Sequence, residues 1–151
     1  MTEDEIIKFE QESPIRMVSK LNRLTLNSLS EPLASVGIAR GTLPFLMEVY
    51  CREGIIQEDI TRILTIDRAA TARALRQLEE NSLVEREEDS EDRRCKRVYP
   101  TDKALEMRDD IMDILKKQRE IMFAGFDEKE RGQFMDMLDR MVKNTFRAVG
   151  S

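Results

Sequence analysis

The sequence predicts a mainly α-helical fold carrying one small β hairpin. Three observations lead there. The chain of 151 residues is 36% charged and holds only six glycines and four prolines, which favours long helices over a many-turned β architecture. Apolar residues recur at three- and four-residue spacing along most of its length. Between Asp67 and Thr101 that rhythm changes to the order helix, strand, charged turn, strand, helix. A hydrophobic share of 40% supplies the core of a single domain, or of a small head on a helical platform.

The elements follow in order. Residues 3–12 hold Ile6, Ile7 and Phe9 and read as a helical arm that packs on a partner. Ser13-Pro14 starts the next helix, a serine cap with proline at the first helical position. Met17, Leu21 and Leu24, then less regularly Leu26 and Leu29, carry it to about Ala34, and Val36-Gly37 ends it. Thr42 to about Arg52 is a helix with Leu43, Leu46, Met47 and Tyr50 inward and Gly54 as its stop. Gln57 to Leu64 is another, with Ile60, Ile63 and Leu64 on one side. Thr65-Ile66 turns the chain, and Asp67 caps a helix through about Glu80. These last two helices and their tight turn form a helix-turn-helix.

Asn81-Ser82 breaks that helix, because asparagine tolerates the left-handed conformation that ends helices. Leu83 to Arg86 is a short strand, Glu87 to Asp92 a polar turn, and Cys95 to Tyr99 a return strand with Val98 buried. Thr101 caps a long helix to about Ala124, carrying Leu105, Met107, Ile111, Ile114, Leu115, Ile121 and Met122. At about 24 residues it would be roughly 36 Å long, too long for a three-helix head to cover, so its distal half calls for a second copy of the chain. Gly125 and Asp127 separate it from a last helix with Phe134, Leu138, Met141, Val142 and Phe146. The methionines at 107, 112, 122, 135, 137 and 141 are either ordinary helical core or the lining of a ligand pocket.

Composition also excludes functions. With no histidine, histidine-based acid–base catalysis and histidine metal ligation are out. Cys51 and Cys95 are too few and too scattered for a disulfide framework or a zinc site. No glycine-rich phosphate loop is present. The expectation is a non-enzyme with no cofactor and no metal. The acidic N-terminus and the lack of any apolar run near 20 residues predict a cytoplasmic protein without membrane contact.

A net charge of −5 counts against nucleic-acid binding, but the field that attracts phosphate is local. Arg93, Arg94, Lys96 and Arg97 fall in one five-residue run without an acid, while Glu79 to Asp92 holds eight acids against the single Arg86. On the helix after Asp67, Thr71, Leu75 and Leu78, with Ala74, share one face, and Arg68, Ala69, Ala72, Arg73 and Arg76 the opposite one. Arginine can bond guanine O6 and N7 in pairs, and alanine methyls can meet thymine methyls. Arg73 and Arg76 are therefore candidate base or phosphate contacts, with Ala69 and Ala72 permitting close approach. A solvated charged face is the alternative meaning of the same arginines. At the hairpin, Asp92 can hold one neighbour of Arg93-Arg94 outstretched while the other reaches phosphate or a minor groove.

The runs DRAATARALRQLEENSLV and EDSEDRRCKRVYPT resemble the MarR family of bacterial and archaeal transcription regulators. The resemblance spans nearly the whole chain and is most specific at Asp92 and Arg94. It implies a winged helix-turn-helix reading head at residues 36–100 on a helical dimerisation platform at residues 1–35 and 101–151. It also implies a homodimer on pseudo-palindromic double-stranded DNA, commonly a repressor released by a small ligand or by oxidation. Arg73 stands at the recognition-helix arginine, Arg94 at the minor-groove position, and Asp92 as its orienting partner. Departures are Asn81-Ser82 in place of a glycine-containing helix end, Pro100 in place of leucine, and Ala69, Ala70 and Ala72 in place of hydroxyl residues.

The resemblance further implies a small lipophilic or aromatic-acid effector, for which Arg16, Met47, Tyr50 and Met107 are candidate contacts. Cys95, beside the wing arginines, is expected to be an unreactive strand cysteine; the alternative is a thiol of lowered pKa whose oxidation disturbs DNA contact. The remaining alternative is a winged-helix protein-interaction module that does not bind DNA.

Overall fold

Seven α-helices, one 3-10 turn and three short strands make up residues 1–150, the part that the computed structural model describes. They fall into two compact units, Met1–Leu115 and the residues from Lys116 onward. The first unit starts with α1 (Glu3–Glu12), whose capping box pairs Thr2 with Glu5, and α2 (Pro14–Ser35). A 3-10 turn (Arg40–Thr42) leads into α3 (Leu43–Cys51), β1 (Ile55–Ile56), α4 (Gln57–Leu64) and α5 (Arg68–Glu80). Then come β2 (Val84–Glu88), β3 (Lys96–Pro100) and the start of α6 (Asp102–Met122). The fold is mainly α with a small β wing, as expected.

One hydrophobic core holds the first unit together. Leu33, Leu46, Val49, Ile60, Leu75, Leu78, Val98 and Ile111 are fully enclosed in it, so α2 to α6 and the sheet all contribute a side chain. Burying each such aliphatic group stabilises the fold by about 1.5–3 kcal/mol. Three of its helices stop in the same way: a left-handed residue lets two N–H groups turn back onto the last carbonyls. Gly37, Thr65 and Ser82 hold those positions after α2, α4 and α5. Glycine adopts this geometry without strain, whereas Thr65 is β-branched and held at φ 52° in the turn between α4 and α5.

Several local expectations are corrected. The left-handed residue after α5 is Ser82, while Asn81 keeps φ −85°. Ser13 sits at the cap of α2 but its side chain makes no capping hydrogen bond, leaving Pro14 as the start signal. The strands lie further along than expected, at 84–88 and 96–100, because each rung pairs across the hairpin, from Val84 opposite Pro100 to Glu88 opposite Lys96. The helix begun at Thr101 ends at Met122 rather than Ala124. A third strand, β1, was not foreseen. Two residues are too few to show a period, and Ile55-Ile56 become a strand only because β3 offers a free edge, giving the antiparallel order β1-β3-β2.

In the second unit, Asp127 and Glu130 form a capping box at the start of α7 (Glu128–Val149). Phe123 packs edge-to-face on Phe126 and Phe134 at 5.5 and 5.8 Å, and Arg131 lies over Phe123 at 5.4 Å. None of the residues of α7 is buried, and Met135, Met137, Met141, Val142 and Phe146 are exposed along it. No helix among the described residues is long and apolar enough to cross a membrane.

Candidate nucleic-acid interface

The two faces of α5 separate cleanly. Asp67 caps the helix by accepting the Ala70 N–H at 2.7 Å. Thr71, Leu75 and Leu78 are buried, and Ala74 packs against the same core. The Thr61 hydroxyl of α4 donates to Thr71 at 2.9 Å, and Thr71 donates to the Asp67 carbonyl at 3.1 Å. A partly buried hydroxyl relay thus fixes α5 against α4. On the other face Arg68, Ala69, Arg73 and Arg76 are exposed and Ala72 is half-buried. Arg68 pairs with Glu58 at 3.1 Å. Among the described residues, Arg73 and Arg76 have no hydrogen-bonded or ionic partner, so both are available to a ligand.

Arg86 is the bracket between this helix and the sheet. It is 17% exposed and bonds Glu79 twice, at 3.0 and 3.1 Å, and Gln57 of α4 at 3.4 Å. The hydrogen bond from Arg86 holds the Glu79 carboxyl below the usual carboxylate range. The one cation in the acidic stretch is therefore structural.

Between β2 and β3 the chain turns through residues 89–95. Arg94 leaves this wing with its side chain 92% exposed, yet Asp92 holds it: Nε to Oδ1 at 3.2 Å, Nη2 to Oδ2 at 3.4 Å, and the backbone N–H at 3.1 Å. That is the outstretched arginine the sequence suggests. Arg93 beside it is exposed. The basic run is less free than it reads, because Arg97 turns inward to Asp89 and to the Gly54 carbonyl. Sequence reasoning missed Asp89, Arg97, Glu79 and Gln57 as organisers of this surface. For Asp89 and Arg97 the available signal was opposite charge across a hairpin, which needs the register before it names a pair. Glu79 and Gln57 meet Arg86 only through tertiary packing.

At Cys95 the lowered-pKa alternative is not met. Its thiol is half-buried, and burial first, then Asp92 with Sγ 3.7 Å from its carboxylate, push its pKa up rather than down. Arg94 and Arg97 are occupied by Asp92 and Asp89, so Cys95 sees those acids rather than free cations. At neutral pH iodoacetamide should label the exposed Cys51 well before Cys95, read by peptide mass spectrometry; faster labelling of Cys95 would contradict this geometry.

The four effector candidates are only partly brought together. Met47, Tyr50 and Met107 all pack on the flank of the main core. The Tyr50 hydroxyl donates to the Ala104 carbonyl, and burial raises its pKa. Arg16 is exposed near the start of α2 and pairs with Glu10 at 3.8 Å. A surface hollow of about 290 Å³ lies elsewhere, lined by Glu58, Asp59, Thr61, Arg62 and Arg68.

A helix-turn-helix whose second helix bares arginines beside a hairpin with a projecting arginine is a winged helix-turn-helix. Comparison with known proteins makes this specific. The sequence model of the MarR family matches residues 42–96. The chain is 33% identical to a MarR transcriptional regulator from Methanosarcina mazei Go1, covering 88% of this chain and 96% of that one, with a TM-score of 0.82. It is 27% identical over 123 residues to YybA, an uncharacterized HTH-type transcriptional regulator of Bacillus subtilis (strain 168), covering 81% of this chain and 82% of that protein. A MarR family regulator from Listeria monocytogenes, solved in complex with 26mer DNA, is 25% identical, with a TM-score of 0.84 over 88% of this chain and 89% of that one. The chain belongs to the MarR family.

Proposed function

We propose that this protein represses transcription in the cytoplasm as a homodimer on pseudo-palindromic double-stranded DNA. In this reading α5 enters the major groove with Arg73 and Arg76 as base or phosphate contacts, flanked by Arg68, Ala69 and Ala72. The wing places Arg94 in the adjacent minor groove, steadied by Asp92, with Arg93 on phosphate. The observation that carries the reading is Arg94 itself, solvent-exposed but held by a carboxylate, beside a helix with two arginines that have no partner among the described residues. The Listeria relative's complex with DNA supports it.

Exposed apolar residues support the dimer. Ile6, Ile7 and Phe9 on α1 and the exposed face of α7 are each apolar surface that a lone chain leaves in water. A second copy covers them and sets two recognition helices about one DNA turn, roughly 34 Å, apart. A small lipophilic or aromatic-acid effector is the proposed release signal, with Met47, Tyr50, Met107 and Arg16 as its candidate contacts. The raised Cys95 thiol argues against oxidation in that role.

Selection of bound duplexes from random-sequence DNA tests the whole reading. The expected product is a two-fold symmetric site with half-sites one helical turn apart. An asymmetric site would remove the dimer. Failure to enrich any sequence would leave a winged protein-interaction module, which the net charge of −5 favours.

A further inference from the structure

Asp89 is the first residue beyond β2, on an otherwise solvated hairpin, yet its side chain is only 12% exposed. Both its oxygens are in use. Oδ1 accepts from Arg97 Nε, and Oδ2 accepts the N–H groups of Glu91 at 3.3 Å and Asp92 at 3.1 Å. The Asp89 N–H donates to the Cys95 carbonyl and the Cys95 N–H to the Asp92 carbonyl, each at 2.9 Å, which closes the tip on itself. Arg97 then carries the hold out of the wing, donating from Nη1 to the Gly54 carbonyl at 3.0 Å, in the turn before β1. Glycine at that turn has φ +81°, and a Cβ there would meet the Tyr99 ring at 3.0 Å, so the carbonyl's position is itself constrained. A continuous path therefore runs from Gly54 through Arg97 and Asp89 to Asp92, and from Asp92 to Arg94.

We infer that Asp89 and Arg97 are a positioning pair that anchors the wing tip to the β1 turn and so decides where Asp92 presents Arg94. The inference rests on the DNA-binding reading above, with Asp89 and Arg97 acting through Arg94 rather than on the nucleic acid. A simpler assignment makes Arg97 another phosphate contact and Asp89 a bystander. The two differ in sign. Taking an acid off a DNA-facing hairpin should by charge alone tighten binding. Loss of a positioning acid should weaken it.

The full-length chain and the symmetric duplex enriched by the selection supply the test. Asp89→Asn keeps the shape but leaves one acceptor oxygen for the work of two. It should bind that duplex about tenfold more weakly, the scale of one charge-assisted hydrogen bond. Combined with Arg94→Ala it should bind no more weakly than Arg94→Ala alone, since both act through one side chain. Arg97→Ala in the Arg94→Ala background should leave the salt slope unchanged, whereas a phosphate contact would lower it by about one. Without DNA, amide exchange at Glu91 and Asp92 should quicken in Asp89→Asn and stay as it was in Arg94→Ala. Equal or tighter binding by Asp89→Asn, or additive losses in the double variant, would overturn the pair's role. Should Arg94→Ala bind like the parent, the wing assignment fails instead, and quickened exchange in Asp89→Asn would still separate the anchoring of the tip from it.

Discussion

Arg94→Ala is expected to weaken operator binding by about ten- to a hundredfold and to reduce the salt slope by about one. The size follows from the geometry. The side chain is 92% exposed, so its removal leaves no cavity, and its pair with Asp92 belongs to the exposed class that contributes about 0–1 kcal/mol to folding. The loss must therefore appear in binding. Fluorescence anisotropy at several salt concentrations, beside a thermal melt, separates the two. Arg94→Lys should recover only part of the affinity, because an ammonium cannot use both Asp92 oxygens while reaching outward as a planar fork. Parental affinity and slope in Arg94→Ala would sink the wing assignment.

Leu75→Ala and Arg76→Ala should have opposite signatures although the residues are neighbours on α5. Leu75 is completely enclosed, and its truncation should cost about 2–5 kcal/mol of stability through lost burial and a residual cavity. Arg76 faces solvent, so its truncation should change stability by less than about 0.5 kcal/mol while lowering DNA affinity. Denaturant unfolding and binding on the same samples decide the matter. A Leu75→Ala variant that unfolds at the parental denaturant concentration would mean that α5 is not held by that face. An Arg76→Ala variant that binds normally at every salt concentration would take Arg76 out of the interface.

The elements most legible in the sequence are those whose cause lies within one helical turn. Asp67 is read as a cap because its carboxylate needs only the N–H three residues on. The division of α5 into a buried and an arginine face needs only the 3.6-residue period. Asp92 and Arg94 are two residues apart, so their pairing is also local. The less legible features depend on what another segment brings. Asparagine's tolerance of left-handed backbone pointed to Asn81, but the return of Leu83 to the Leu78 carbonyl places that conformation at Ser82. Arg93 to Arg97 looks uniformly basic in sequence, although Arg97 is spent on Asp89 and the Gly54 carbonyl.

Local chemistry along the chain thus specified the helices, their caps, the hairpin and the arginines on offer, because each is set by residues a few positions apart. Tertiary structure decided which of those charges remain free. Arg97 meets Gly54 across 43 positions and Arg86 meets Gln57 across 29, and no spacing rule encodes either distance. Cys95 shows the same: the sequence surrounds it with arginines, but the fold gives Arg94 and Arg97 to carboxylates and leaves the thiol half-buried beside Asp92. Short-range pattern shapes the parts, while burial and long-range pairing settle what each side chain has left to give.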